Sequence, residues 1–269
     1  MPYAELAQSD RKDGQRGLSA RTIRHVHACL HKACKDAVRW GRLSRNPLDA
    51  ADPPKINGEG AHEMKTWTAE QLKAFLAAVK DDRLAALWHT IAMTGMRRGE
   101  ALGLRWSDVD LEAGRLAVRR ALIPDGRDVI ISEPKTAKGR RVIALDAGTV
   151  EVLKGQAARQ LAEQQQWGAA WTDTGLVFTA ENGEALDPES VSRYWRQTVK
   201  RSLLPPIRLH DLRHTHATLA LQAGIHPKVV SERLGHATVS ITLDTYSHAI
   251  PALQEEAAAL IAELVFAAK

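Results

Sequence analysis

Apolar side chains recur at helical spacing across residues 18–43 (LSARTIRHVHACLHKACKDAVRWGRL). Ile23, Val26, Leu30, Ala33 or Cys34, Ala37 and Val38 fall on one stripe. Ser19 stands where an N-cap belongs, and Gly41 with the RNP at 45–47 closes the run, so the pattern predicts one long amphipathic helix. One such helix cannot bury its own stripe, and the first fifty residues are expected to be part of a domain rather than a whole one. The stretch 49–65 (DAADPPKINGEGAHEMK) mixes Pro, Gly and charge and reads as a linker. Helical spacing resumes in TWTAEQLKAFLAAV (66–79), where Thr68 supplies a capping signal, and continues through Leu104. Three short runs follow, GRLAVRRALI (114–123), RDVIISEP (127–134) and RRVIAL (140–145), separated by PDG and TAKG; they predict three antiparallel strands. From Thr149 the helical period returns, broken by an extended piece at GLVFT (175–179), and an Ala/Leu-rich helix (about 252–267) ends the chain. No repeat is present. The expected fold class is mainly α with a small three-stranded antiparallel sheet (α+β).

Composition narrows the partners. At 44% hydrophobic and 26% charged over 269 residues, the chain has material for one large or two ordinary domains, which argues against wholesale disorder. Cys29 and Cys34 are five apart and match neither a redox pair nor a zinc knuckle. With no signal stretch and no run of membrane-span length, the expectation is a cytoplasmic protein without a membrane partner. Net charge is +5 and the isoelectric point near 9.3, which points toward nucleic acid. Between Arg11 and Arg45 ten Lys/Arg face two acids, Asp13 and Asp36. That run is either a solvated helix face or a surface that tracks phosphates.

Four segments place cationic or proton-carrying side chains at helix or turn positions. TGMRRGEALGLRW (94–106) sets Arg97 and Glu100 three apart, so the acid can brace the guanidinium. EPKTAKGRR (133–141) puts Lys135 at a hairpin turn, LHDLRHTHA (209–217) spaces His210 and Arg213 by three, and RLGHATVSITLDTYSH (233–248) holds His236 and Tyr246. Taken singly, each is more often structural than functional. His210 and His214, four apart, have the spacing of a metal pair on a helix, but no HExxH is present and His216 falls on another face. No metal and no cofactor are expected. His214 and His216 read as packing residues, and His226 and His248 as local hydrogen-bonding residues.

The ordered set Arg97, Lys135, His210, Arg213, His236, Tyr246 is specific as a combination. TGMRRGEALGLRWSDVD, KTAKGRRVIAL, HDLRHTHAT and LGHATVSITLDTYSH resemble the motifs of the tyrosine recombinase (phage integrase) family of site-specific recombinases. The resemblance runs over about 66–250 and more loosely over 18–55. It implies a partial helical core-binding domain (1–55), a linker (56–65) and a catalytic domain (66–269). It also implies metal-independent DNA cleavage and rejoining, for integration or excision of a mobile element. Tyr246 would be the nucleophile of a 3′-phosphotyrosyl intermediate, and Arg97, Arg213 and His236 the donors to the phosphate. Lys135 would be the acid for the 5′ oxygen and His210 a helper to the tyrosine, while Glu100 orients Arg97. The implied partner is double-stranded DNA at attachment sites, bound by a homotetramer, with room for a directionality factor and a host DNA-bending protein. The terminal helix is a candidate for packing on a neighbouring subunit, or equally for sealing its apolar side within its own chain. Family members carry more chain before the linker, so an N-terminally truncated protein with weak DNA affinity is expected. The alternatives are a non-catalytic DNA-binding protein of the same fold, a type IB topoisomerase and, more distantly, a metallohydrolase.

Overall fold

The computed structural model describes residues 2–8, 17–55, 64–125, 128–132, 139–247 and 265–266. They fall into two compact units, Met1–Glu63 and Met64–Lys269. In the first, α1 (Pro2–Gln8) packs on α2 (Ala20–Arg39), with Tyr3 Oη 2.6 Å from His27 Nδ1. The Ser19 hydroxyl caps α2 by accepting the Thr22 amide at 3.2 Å, as the sequence predicts. Helix α2 stops at Arg39, four residues before the expected end, and its Trp40 and Gly41 amides bond back to Asp36 and Val38. Asn46 then caps a short 3-10 turn, Pro47–Ala50. The predicted apolar stripe is partly covered: Ile23 is buried and Val26, Cys34, Ala37 and Val38 are half-buried, but Leu30 is 49% exposed.

The second unit is built on an aromatic core. Trp67, Phe75, Trp88 and Trp195 are essentially inaccessible, with Phe75 and Trp195 rings 4.9 Å apart at 60°. Such rings remove large apolar areas from water, on the order of 1.5–3 kcal/mol for each large side chain. The indole N–H groups of Trp67 and Trp195 donate to Pro205 and Ile207 carbonyls at 2.8 and 2.9 Å, so two polar edges are satisfied inside. Around this core lie α3 (Ala69–Ala78), α4 (Ala85–Thr94), α5 (Arg98–Leu102), α6 (Ala147–Trp167) and α7 (Pro188–Arg201). Three further helices, α8 (Asp211–Gln222), α9 (Pro227–Leu234) and α10 (Val239–Tyr246), pack on one another. Helix α4 is apolar on nearly every side because it is enclosed, between α6 and α8 among others.

The strands differ from expectation in one respect. The run at 114–123 is not one strand but two, β2 (Arg115–Val118) and β3 (Ala121–Asp125). Strand β2 lies between β1 (Val109–Asp110) and β5 (Arg141–Ala144) in a three-stranded antiparallel sheet, whereas β3 pairs with β4 (Asp128–Ser132) in a separate hairpin. At the junction Arg119 and Arg120 both pair with the buried carboxylate of Asp108. GLVFT forms no strand of its own; Leu176 makes an isolated bridge to Arg105, and Thr179 one to Ala185.

Candidate active site

Helix α4 ends in a left-handed turn at Gly95 (φ 66°), a conformation that an L side chain rarely adopts. A Cβ there would lie 2.6 Å from Leu234 Cδ2 and 2.9 Å from His216 Cδ2, so the bare glycine is what lets α4, α8 and α9 converge. Two residues later Arg97 caps α5. Its amide donates to Glu100 Oε2 at 3.0 Å and its guanidinium to Glu100 Oε1 at 2.7 Å. The i,i+3 pair expected from the sequence is therefore formed. Glu100 is buried and has a second partner that sequence reading missed: Arg141, at the start of β5, donates to both carboxylate oxygens at 2.8 and 3.3 Å. Burial opposes the charge on Glu100, yet the contacts with Arg141 and Arg97 win, and its carboxyl lies below the usual range.

Arg213, on the first turn of α8, is 2% exposed. It donates to the Gly95 and Leu234 carbonyls, each at 2.7 Å, which pins it between the ends of α4 and α9. Two hydrogen bonds leave further N–H donors of its planar fork available. Burial first, then Arg97 and Arg141, pushes its pKa down to about 9, against the pull of Glu100 and Tyr246; at neutral pH it remains a cation. Arg141 is tied to the same end of α9 by a 2.6 Å hydrogen bond from Nε to the Arg233 carbonyl. Gly235 then turns left-handed (φ 70°), with a site for Cβ only 2.9 Å from the Arg141 guanidinium, and releases the chain into His236.

His236 Nδ1 lies 2.8 Å from Thr242 Oγ1, and its ring is parallel to that of Tyr246 (7°, centroids 6.5 Å apart). Burial, then Arg213, Arg97 and Arg141, lowers its pKa to about 4. Tyr246, the last residue of α10, is 1% exposed, and its burial pushes the phenol up to about 12, although Arg213 and Arg97 pull the other way. His210 stands at the exposed N-cap of α8, its ring edge-on to His214 at 5.1 Å. The structure thus brings Arg97, Glu100, His210, Arg213, His236 and Tyr246 to one place. Lys135 and His248 lie outside the described residues, as does all of the expected terminal helix except residues 265–266.

His214 departs from expectation. It is not a packing residue: its Nδ1 lies 2.7 Å from Tyr246 Oη. The signal was its spacing, one turn after His210, which was read only for metal or packing. His216 does pack. Its Nδ1 donates to the Ala92 carbonyl at 2.9 Å, and Nε2 accepts from Arg233 at 3.2 Å, a pairing that requires a neutral ring. His226 caps α9, its ring nitrogen accepting the Lys228 amide at 3.2 Å.

Comparison with known proteins places this arrangement. Residues 65–252 match the model of the phage integrase family. The chain is 32% identical over 252 residues to a XerC-like tyrosine recombinase of Caldanaerobacter subterraneus subsp. tengcongensis, covering 88% of this chain and 64% of that one. It is 29% identical over 251 residues to the ICEBs1 integrase of Bacillus subtilis, covering 93% and 67%. The chain thus spans about two thirds of the length of these relatives. Its fold is similar to that of a Tn1549 transposon integrase in complex with transposon right end DNA (TM-score 0.75, 24% identity, 93% of this chain and 81% of that one). Among the described residues no helix is long and apolar enough to cross a membrane.

Proposed function

The chain belongs to the phage integrase family, and on that premise we propose that it is a site-specific DNA recombinase that breaks and rejoins strands through a phosphotyrosine, without a metal ion. One observation carries the reading: a buried phenol, Tyr246, stands beside a cluster of guanidiniums, Arg97, Arg141 and Arg213, whose shared carboxylate is Glu100. That excess of positive charge matches a phosphodiester, not a neutral substrate.

Tyr246 Oη attacks the scissile phosphorus and leaves the DNA joined to the protein through a 3′ phosphate. Arg97 and Arg213 hold the non-bridging oxygens, on which charge grows in the transition state, and their anchoring on Glu100, Gly95 and Leu234 prepays the cost of orienting them. With Nδ1 accepting from Thr242, the neutral ring of His236 presents Nε2–H as a further donor. Lys135 protonates the departing 5′ oxygen and His210 orders the site. The covalent bond keeps the energy of the phosphodiester, so another strand's 5′-hydroxyl can reseal the DNA, and exchange rather than cutting results. The first unit serves as part of the core-binding domain, its basic residues along α2 tracking the phosphate backbone. The enzyme acts as a tetramer on two attachment sites, in the cytoplasm.

The test is a supercoiled plasmid carrying the DNA that flanks the gene, where an integrase's attachment site normally lies. Incubated with the protein in EDTA and quenched with detergent, it should yield a covalent protein–DNA adduct, and Tyr246→Phe should yield none. An adduct that requires divalent metal, or one that persists in Tyr246→Phe, would overturn the reading.

A further inference from the structure

Resting on that reading, we infer that His214 is the group that takes the phenolic proton from Tyr246 as it attacks. The sequence motif had directed attention to His210, the first histidine of the same helix turn. The geometry favours its neighbour. His214 Nδ1 is 2.7 Å from Tyr246 Oη, within the reach a general base needs. Among the described residues it is the hydrogen-bond partner of that oxygen. His236, whose ring lies parallel to the phenol, has its Nδ1 engaged by Thr242. His210 touches the edge of the His214 ring and not the phenol.

The surroundings keep His214 ready to accept. From its own helix it faces His210, Asp211 and Arg213, with Arg208 just before; from α10 comes Tyr246, and His236 precedes that helix. Burial, with Arg213 and Arg208, holds its pKa below the ordinary histidine value against the opposing pull of Asp211, so the ring is neutral near pH 7. A neutral ring that accepts at Nδ1 carries its own proton on Nε2.

The step balances. The Oη–H bond of Tyr246 breaks and its proton passes to His214 Nδ1 while the Oη–P bond forms. The P–O5′ bond breaks, and the 5′ oxygen takes its proton from the acid on the leaving-group side. In rejoining, a 5′-hydroxyl attacks phosphorus and gives its proton back to the group on the leaving-group side that protonated it in cleavage, while the P–Oη bond breaks and His214 Nδ1–H returns its proton to the phenolate. One residue thus serves as base in cleavage and acid in resealing.

Adduct formation on the plasmid described above, timed across pH 5.5–9, tests the inference with His214→Asn and His214→Ala. Asn preserves a hydrogen bond to the phenol but cannot carry its proton, so a merely positioning role predicts near-normal rates in that variant. As the base, His214 predicts a fall of roughly 100-fold or more in both variants. It also predicts loss of the acid limb of the wild-type profile and recovery of His214→Ala by added imidazole. His214→Asn within threefold of wild type, or an unchanged acid limb, would overturn it. Absence of any adduct with the wild-type protein would instead sink the recombinase reading. A second measurement needs neither DNA nor a variant. In ¹⁵N-histidine spectra of the free protein, His214 should show the Nε2–H tautomer with a hydrogen-bonded, unprotonated Nδ1. The Nδ1–H tautomer overturns the inference.

Discussion

Glu100 shows how much one side chain settles in this molecule. It caps α5 through the Arg97 amide, braces the Arg97 guanidinium, and neutralises Arg141, which is itself buried. Glu100→Gln keeps the shape but removes the charge, leaving the Arg141 cation in the interior without its counter-ion. Breaking a buried pair from one side costs about 3–5 kcal/mol, so the urea midpoint should drop well below that of the wild type; a change within experimental scatter would show that water, not Glu100, carries Arg141. The Arg97–Glu100 half of this arrangement was legible in the sequence because both residues lie within one helical turn. The Arg141 half was not, since the two residues lie 41 apart with a change of secondary structure between them. His214 has the same history. Its position beside His210 was plain, but whether its ring would meet a metal, the core or a phenol 32 residues downstream depended on where α10 came to rest.

At the scale of elements, local signals served well where the physics is local. Thr68 and Gln71 form the full capping box of α3, with the Thr68 amide donating to Gln71 Oε1 at 3.0 Å and the Gln71 amide to Thr68 Oγ1 at 3.3 Å. Thr68→Ala should therefore cost about 1 kcal/mol, seen as a lowered thermal midpoint. An unchanged midpoint would mean that the fixed Trp67 next to it holds the entry to α3 unaided. The strands were a different matter. Alternation in GRLAVRRALI predicts one continuous strand, whereas the chain passes from one sheet to another at Arg119 and Arg120, both of which pair with the buried Asp108. Helix α2 forms where its pattern predicts, and its stripe is buried at Ile23 and half-buried at Val26, Ala37 and Val38 but open at Leu30.

For the molecule as a whole, the most measurable consequence is acid sensitivity. His216 and His236 are held neutral in the folded protein, with pKa values pushed down to about 4, burial being the first cause in both. Unfolded, each titrates near its ordinary value of 6.5. Between those values the unfolded chain binds more protons than the folded one, so stability is full above about pH 6.5 and is lost as pH falls toward 4. For His216 the loss is structural, because a protonated Nε2 can no longer accept from Arg233. Urea unfolding at pH 7.5, 6 and 5 should give progressively lower midpoints. Equal midpoints at pH 7.5 and 5 would show that these rings titrate freely in the fold. Bound phosphate would oppose the effect at His236, which sits among the cations of the site, and not at His216.

By itself the sequence determined what neighbouring residues can arrange among themselves, the helices with the caps at Ser19 and Thr68, and it carried the order of arginines, histidines and tyrosine that marks the family. The helices and their caps depend on contacts three or four residues apart, which a linear pattern records directly. The tertiary structure alone decided which of the three clustered histidines faces the phenol, which arginine shares Glu100 and where the strand run divides. Each of these turns on a buried charge or polar group finding a partner on another element. The cost of leaving such a group unpaired away from water is large enough to choose among packings that the sequence pattern leaves equal.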